Sequence, residues 1–202
     1  INSDDSYNPR ETDELFRIIT YNDSYSPDNY DGNFVDIVRN IYGNTHIEER
    51  FVRSRGRNGV MYYVKPVYIY KHGCIIYFSC KYGGYLQHKS WDSGLAGIVY
   101  TTEDRVKDIF QMDEVDRKTL DVVSNLMDNE LEKYTKYCNG DVYLWSKYAF
   151  RCGELEFEGC CGGYYSIDDI LKEFEIDETK RLDDDSIKSL ELHLLREYVH
   201  AR

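Results

Sequence analysis

The segment from Val60 to Cys80 restricts the folds open to this chain more than any other. It reads Val-Met-Tyr-Tyr-Val-Lys-Pro-Val-Tyr-Ile-Tyr, then Lys-His-Gly, then Cys-Ile-Ile-Tyr-Phe-Ser-Cys. β-Branched and aromatic residues at this density favour extended backbone, and His72-Gly73 reads as the turn between two strands. Strands this close pair antiparallel, because a parallel pair needs a crossover of a dozen residues or more. Pro66 has no N–H to give a ladder, so it belongs at an edge or a bulge. A second succession follows. Asp141–Arg151 carries Val142, Leu144, Tyr148 and Phe150 as apolar marks. Glu154-Leu155-Glu156-Phe157-Glu158 then alternates, which predicts an exposed acidic face over a buried one. Strands that succeed one another directly predict an α+β fold, a mainly antiparallel sheet packed on one side by helices. With 202 residues, 42% of them hydrophobic, a single domain over 1–202 can bury a sizeable core.

The helices announce themselves by period and caps. Phe34, Val35, Ile37, Val38 and Ile41 predict a helix over 33–42, closed by Gly43. Residues 1–32 read as a polar N-terminal segment, with a turn at Asn8-Pro9-Arg10-Glu11 and an apolar stretch from Leu15 to Ile19. Gly83-Gly84 opens a loop to Ser90, and Trp91-Asp92-Ser93-Gly94-Leu95-Ala96-Gly97 leads into the strand Ile98-Val99-Tyr100. Thr101 or Thr102 before Glu103 and Asp104 is a helix start, with Val106, Ile109 and Phe110 expected to face inward. Leu120, Val123, Leu126, Met127, Leu131 and Tyr134 predict a longer helix over about 117–137, ended at Asn139-Gly140-Asp141. Ser166 caps a helix carrying Asp168 and Asp169. Asp183-Asp184-Asp185-Ser186 opens a last one with Ile187, Leu190, Leu194, Leu195 and Tyr198 inward.

Charge is distributed unevenly. The net charge is −12; residues 1–100 carry 12 acids and 11 bases, whereas 101–202 carry 25 and 14. Binding nucleic acid directly through a global basic footprint is excluded. An acidic half can instead enter a Lys/Arg-rich groove that ordinarily holds nucleic acid, and such contacts weaken with salt. The carboxylates expected to do this are Glu154, Glu156, Glu158, Asp168, Asp169, Asp183, Asp184 and Asp185, with Trp91, Tyr164 and Tyr165 as aromatic anchors. Tyr143 and Trp145 are further anchor candidates. Arg50, Arg53, Arg55 and Arg57 lie within eight residues. Guanidinium groups clamp carboxylates or phosphates in pairs, so the cluster either meets a partner or neutralises the protein's own acidic half.

Nothing in the sequence asks for catalysis. No nucleophile elbow, phosphate-binding glycine loop or His-Glu-x-x-His pattern occurs. Ser93 in Asp92-Ser93-Gly94 has no identifiable base and reads as a turn. His72, Cys74, Cys80 and His88 could ligate zinc, but no Cys-x-x-Cys is present and the two cysteines fall in an apolar run, as buried thiols do. No metal or cofactor is expected. The first residues lack the pattern of a secretory signal and no run of ~18 apolar residues occurs, so the expected setting is a reducing cytoplasm without membrane contact.

Asn8-Pro9-Arg10-Glu11, Trp91-Asp92-Ser93-Gly94 with Gly97 leading into Ile98-Val99-Tyr100-Thr101, Gly140-Asp141-Val142-Tyr143, and Cys161-Gly162-Gly163-Tyr164-Tyr165 together resemble a poorly characterised family of small acidic proteins. Phages and mobile elements of Gram-positive bacteria encode it. The resemblance covers most of residues 8–170. It implies a role similar to anti-CRISPR or anti-restriction inhibitors, which block a host defence nuclease by binding it, without catalysis. The partner would be a CRISPR-associated or other defence nuclease of the bacterial host. An enzyme acting on a nucleotide or host protein, and a phage regulator or scaffold, are the alternatives.

Overall fold

The computed structural model describes residues 2–3, 7–11, 15–79, 92–151 and 154–173. In chain order these form β1 (Asn2–Ser3), β2 (Arg17–Thr20), α1 (Phe34–Tyr42), β3 (Val52–Arg55), β4 (Met61–Lys71) and β5 (Ile75–Phe78). Then come β6 (Ser93–Thr102), α2 (Glu103–Phe110), α3 (Arg117–Cys138), β7 (Tyr143–Arg151), β8 (Glu154–Tyr164) and α4 (Ile167–Glu173). All strand pairings are antiparallel. This is an α+β fold, with two sheets where one was expected. Five strands form the larger, in the order β2-β6-β4-β3 with β5 also on β4, and β1-β7-β8 form the smaller. The helix expected after Asp183 lies outside the described residues.

β4 organises the larger sheet. One edge pairs with β6 along Tyr62–Tyr70. The other edge is shared: β3 takes Met61–Val64 and β5 takes Tyr68–Lys71. Pro66 falls in the gap between them, where no partner strand asks for its missing N–H, and a bulge follows at Val67/Tyr68. A proline is thereby accommodated in a central strand. The outer edge of β5 is closed by α3, whose Thr135 hydroxyl accepts from the Tyr77 N–H (2.8 Å) while Asn139 brackets Ile75 with two hydrogen bonds (3.0 and 2.7 Å). Side chains thus cover an otherwise open sheet edge.

Helices cover both faces of this sheet, not one. Ile19, Tyr62, Val64 and Ile98 meet α1 through Phe34, Val38 and Ile41. On the opposite face Ile18, Tyr63, Val67, Tyr77 and Val99 meet Val106 of α2 and Val123, Met127 and Leu131 of α3. Burial on both sides explains why β4 reads as a continuous apolar run rather than an alternation. The Thr102 cap and the Gly43 stop fall where the sequence puts them, and Asn33 and Asp116 add caps it did not single out. Asn33 accepts from Val35 N–H (2.8 Å), Thr102 from Arg105 N–H (3.3 Å), and Gly43 closes α1 with φ 79°. Asp116 caps α3 through both the N–H and the hydroxyl of Thr119 (2.7 and 2.6 Å). Only Val106 is fully buried on α2; Ile109, expected inside, is 44% exposed.

The N-terminal segment is less peripheral than its polarity suggests. The turn at Asn8–Glu11 aims Arg10 inward, where its guanidinium clamps Asp28 (3.0 and 2.8 Å), reaches Glu130 of α3 (3.2 Å) and donates to the Phe16 carbonyl (2.9 Å). Asp28 in turn accepts from Ile18 N–H (2.6 Å). A second buried ionic cluster underlies the β4 gap. Lys65 Nζ donates to Asp128 Oδ1 (2.8 Å) and to the Ser124 carbonyl (2.7 Å), and Ser79 donates to the same carboxylate (2.6 Å).

Candidate functional site

The carboxylates singled out on β8 are largely neutralised by the strand beside it. Glu158 meets Lys147 (2.8 Å) and Arg151 (2.9 Å) of β7, and Glu156 meets Arg151 (3.6 Å). Lys147, then Arg151, hold the Glu158 carboxyl below its ordinary range. The backbone of Glu154 stands opposite Arg151. Asp168 and Asp169 are exposed in the first turn of α4, and Asp169 lies 3.9 Å from Lys172. Asp183, Asp184 and Asp185 lie outside the described residues. The patch expected on β8 is therefore a charge-paired ribbon.

The aromatic anchors divide in the same way. Tyr164 donates to Glu173 (2.6 Å) and accepts from Trp145 Nε1 (3.2 Å), which ties α4 to the ribbon; Tyr165 packs edge-on against Tyr7 with centroids 6.2 Å apart. Their contacts are internal, and Trp91 lies outside the described residues. A different pair faces solvent. Tyr148 of β7 and Phe157 of β8 pack edge to face at 5.5 Å and remain 41% and 59% exposed. The expectation of an inward Phe157 fails because this ribbon contributes no residue to either buried cluster of the larger sheet.

Of the arginines, Arg53 pairs with Glu103 (2.6 Å), Arg57 donates to the Gly43 carbonyl at the end of α1 (2.5 Å), Arg50 lies 3.9 Å from Glu48, and Arg55 is exposed. The cluster is thus a strand and hairpin, with one arginine engaging the acidic half. Glu103 collects Arg53, Lys107 (3.3 Å) and the Tyr63 hydroxyl (2.9 Å). Burial acts to raise its pKa, but these hydrogen bonds outweigh it and leave the carboxyl below its usual range. A carboxyl depressed by folding stabilises the native state above its unfolded pKa, near 4.3. That contribution is lost as pH falls through the lower folded value. Glu103→Gln is expected to lower the urea midpoint at pH 7 and to flatten its decline below about pH 4.3. An unchanged acid limb would show that Glu103 carries no such linkage.

Asp168 has no ion pair among the described residues, and further exposed acids share that state. Asp104 and Asp108 on α2, Asp113 and Glu114 in the connection, and Asp121 on α3 are all exposed, and none has an ion pair among the described residues. Asp104, Asp108 and Asp121 occupy the solvent side of helices whose inward positions are Val106 and Val123. The signal was present in the sequence as acids alternating with the apolar helical period.

Two further polar features lie on the larger sheet. A cavity of about 300 Å³ opens at the β4 gap, lined by Arg50, Phe51, Lys65, Pro66, Ser79 and Ser124 among others. A cleft of about 470 Å³ lies at the start of β6, lined there by Asp92 and Ser93. His72 Nδ1 stands 3.4 Å from Asp92 Oδ2, so the imidazole faces the carboxylate. Among the described residues no group of three or more His, Cys, Asp or Glu could hold a metal ion. Cys74 is a half-buried free thiol, and Cys80 and His88 lie outside the described residues. No described helix is long and apolar enough to cross a membrane. No protein-family model, curated protein or solved structure matches the chain.

Proposed function

We propose that this protein is a non-enzymatic, phage-encoded inhibitor that binds the basic nucleic-acid channel of a host defence nuclease, such as a CRISPR-associated one. The observation that supports this most directly is the set of exposed carboxylates at Asp104, Asp108, Asp113, Glu114 and Asp121, none of which has an ion pair among the described residues. Asp104 and Asp108 sit one turn apart on a helix, about 6 Å along its axis, so their charges are held in a fixed array. A Lys/Arg-lined channel gains from such an array without sequence readout. The exposed Tyr148–Phe157 pair supplies the kind of aromatic anchor that dominates binding energy at protein interfaces.

The test is affinity purification from host lysate, followed by a cleavage assay with the nuclease recovered. Inhibition is expected to weaken steeply with salt. The quadruple change Asp104→Asn, Asp108→Asn, Asp113→Asn and Glu114→Gln is expected to raise the inhibitory concentration at least tenfold, whereas Glu156→Gln leaves it nearly unchanged. Inhibition indifferent both to salt and to the quadruple change would overturn the reading.

A further inference from the structure

We infer that the cleft at the start of β6 is a binding site for a saccharide ring. Its volume of about 470 Å³ lies within the range of small-ligand sites, ~300–1,000 Å³. Tyr21, Asn22, Tyr25, Lys71, Asp92 and Ser93 contribute its polar and aromatic lining. It holds one ammonium and one carboxylate, and that balance disfavours a phosphate and favours a neutral ligand rich in hydrogen-bonding groups.

The placement of the two charges supports this class. Lys71 N–H donates to the Asp92 carbonyl (2.9 Å), so the two side chains rise from adjoining backbone positions. Each is oriented but not saturated. Lys71 Nζ donates to the Tyr25 hydroxyl (2.6 Å) and lies 4.7 Å from the centre of that ring, which leaves two of its three N–H groups. The Asp92 carboxylate faces His72 through one oxygen and keeps most of its roughly four acceptor sites. A sugar hydroxyl both donates and accepts. Neighbouring hydroxyls on one ring can therefore accept a hydrogen bond from the ammonium and donate one to the carboxylate, a pairing that neither a simple anion nor a simple cation satisfies. Tyr21, 65% exposed and touching Phe34 only edge-on, offers an aromatic surface to the C–H face of the ring.

Saturation-transfer NMR tests this with the methyl glycosides of glucose, galactose, mannose and N-acetylglucosamine, alongside short oligomers of each, adenosine monophosphate and glycine. At least one glycoside is expected to receive saturation from the protein. Asp92→Asn, Lys71→Gln and Tyr21→Ala, all surface changes, are each expected to weaken it at least tenfold with an unchanged circular dichroism spectrum. Tighter binding of an oligomer would identify a polymer as the source, equal binding a free sugar, and both support the site. Failure of every glycoside to bind, binding indifferent to all three changes, or preference for adenosine monophosphate or glycine would overturn it. Nuclease inhibition is read separately, so the two proposals fail independently.

Discussion

Asp128→Ala is expected to destabilise the protein by about 3–5 kcal/mol, the cost of removing one partner from a buried ion pair. Lys65 and Asp128 have side chains only 6% and 7% exposed, and Lys65 is fixed between α3 and the central strand, so its ammonium would be left largely desolvated without its carboxylate. The loss is roughly a fifth or more of the stability of an ordinary domain, ~5–15 kcal/mol. Urea unfolding followed by circular dichroism measures it. The double change Lys65→Met with Asp128→Leu is expected to recover most of the loss, because an apolar pair of similar volume leaves no charge stranded. A cost below about 1 kcal/mol for Asp128→Ala would mean that the ammonium finds other compensation.

Gly97→Ala is expected to be as damaging for a steric reason. Gly97 stands opposite Thr20 in the β2–β6 pair. An added Cβ would overlap the Ile19 carbonyl oxygen and come within 2.7 Å of Thr20 Cα. Both are backbone atoms and cannot rotate aside, so β2 must be displaced, and the completely buried Ile18 and Ile19 go with it. A loss of about 3 kcal/mol or more follows, seen as a fall in Tm of roughly 6–12 °C at this chain length. Gly94→Ala, three residues earlier on the same strand, meets nothing within 4 Å and serves as the near-neutral control. Equal melting temperatures for the two variants would refute the close approach.

Local features were legible in the sequence and long-range ones were not. The β4–β5 hairpin, the Thr102 cap, Gly43 and the span of α3 all follow from residues within one or two turns of each other. The placement of Arg10 does not, because its acceptors Asp28 and Glu130 lie 18 and 120 residues away. The role of Gly97 was equally hidden, since the crowding comes from a strand more than 70 residues earlier. Helices on both faces could have been inferred from the unbroken apolar character of β4, but Lys65 and Pro66 obscure it. Ion pairing of the β8 carboxylates was not legible in the sequence. Charge counting locates a half, whereas pairing across β7 and β8 decides which carboxylates remain available.

The proline between the two strands that share an edge of β4 has a consequence for how the chain tolerates change. Neither hairpin can extend into the other's territory, because the intervening residue cannot join a ladder. A lengthened turn at Asn58-Gly59 or at His72-Gly73 therefore shifts only its own pairing, as an expansion joint confines movement to one side of a wall. Sequence drift in one arm leaves the alignment of the other undisturbed.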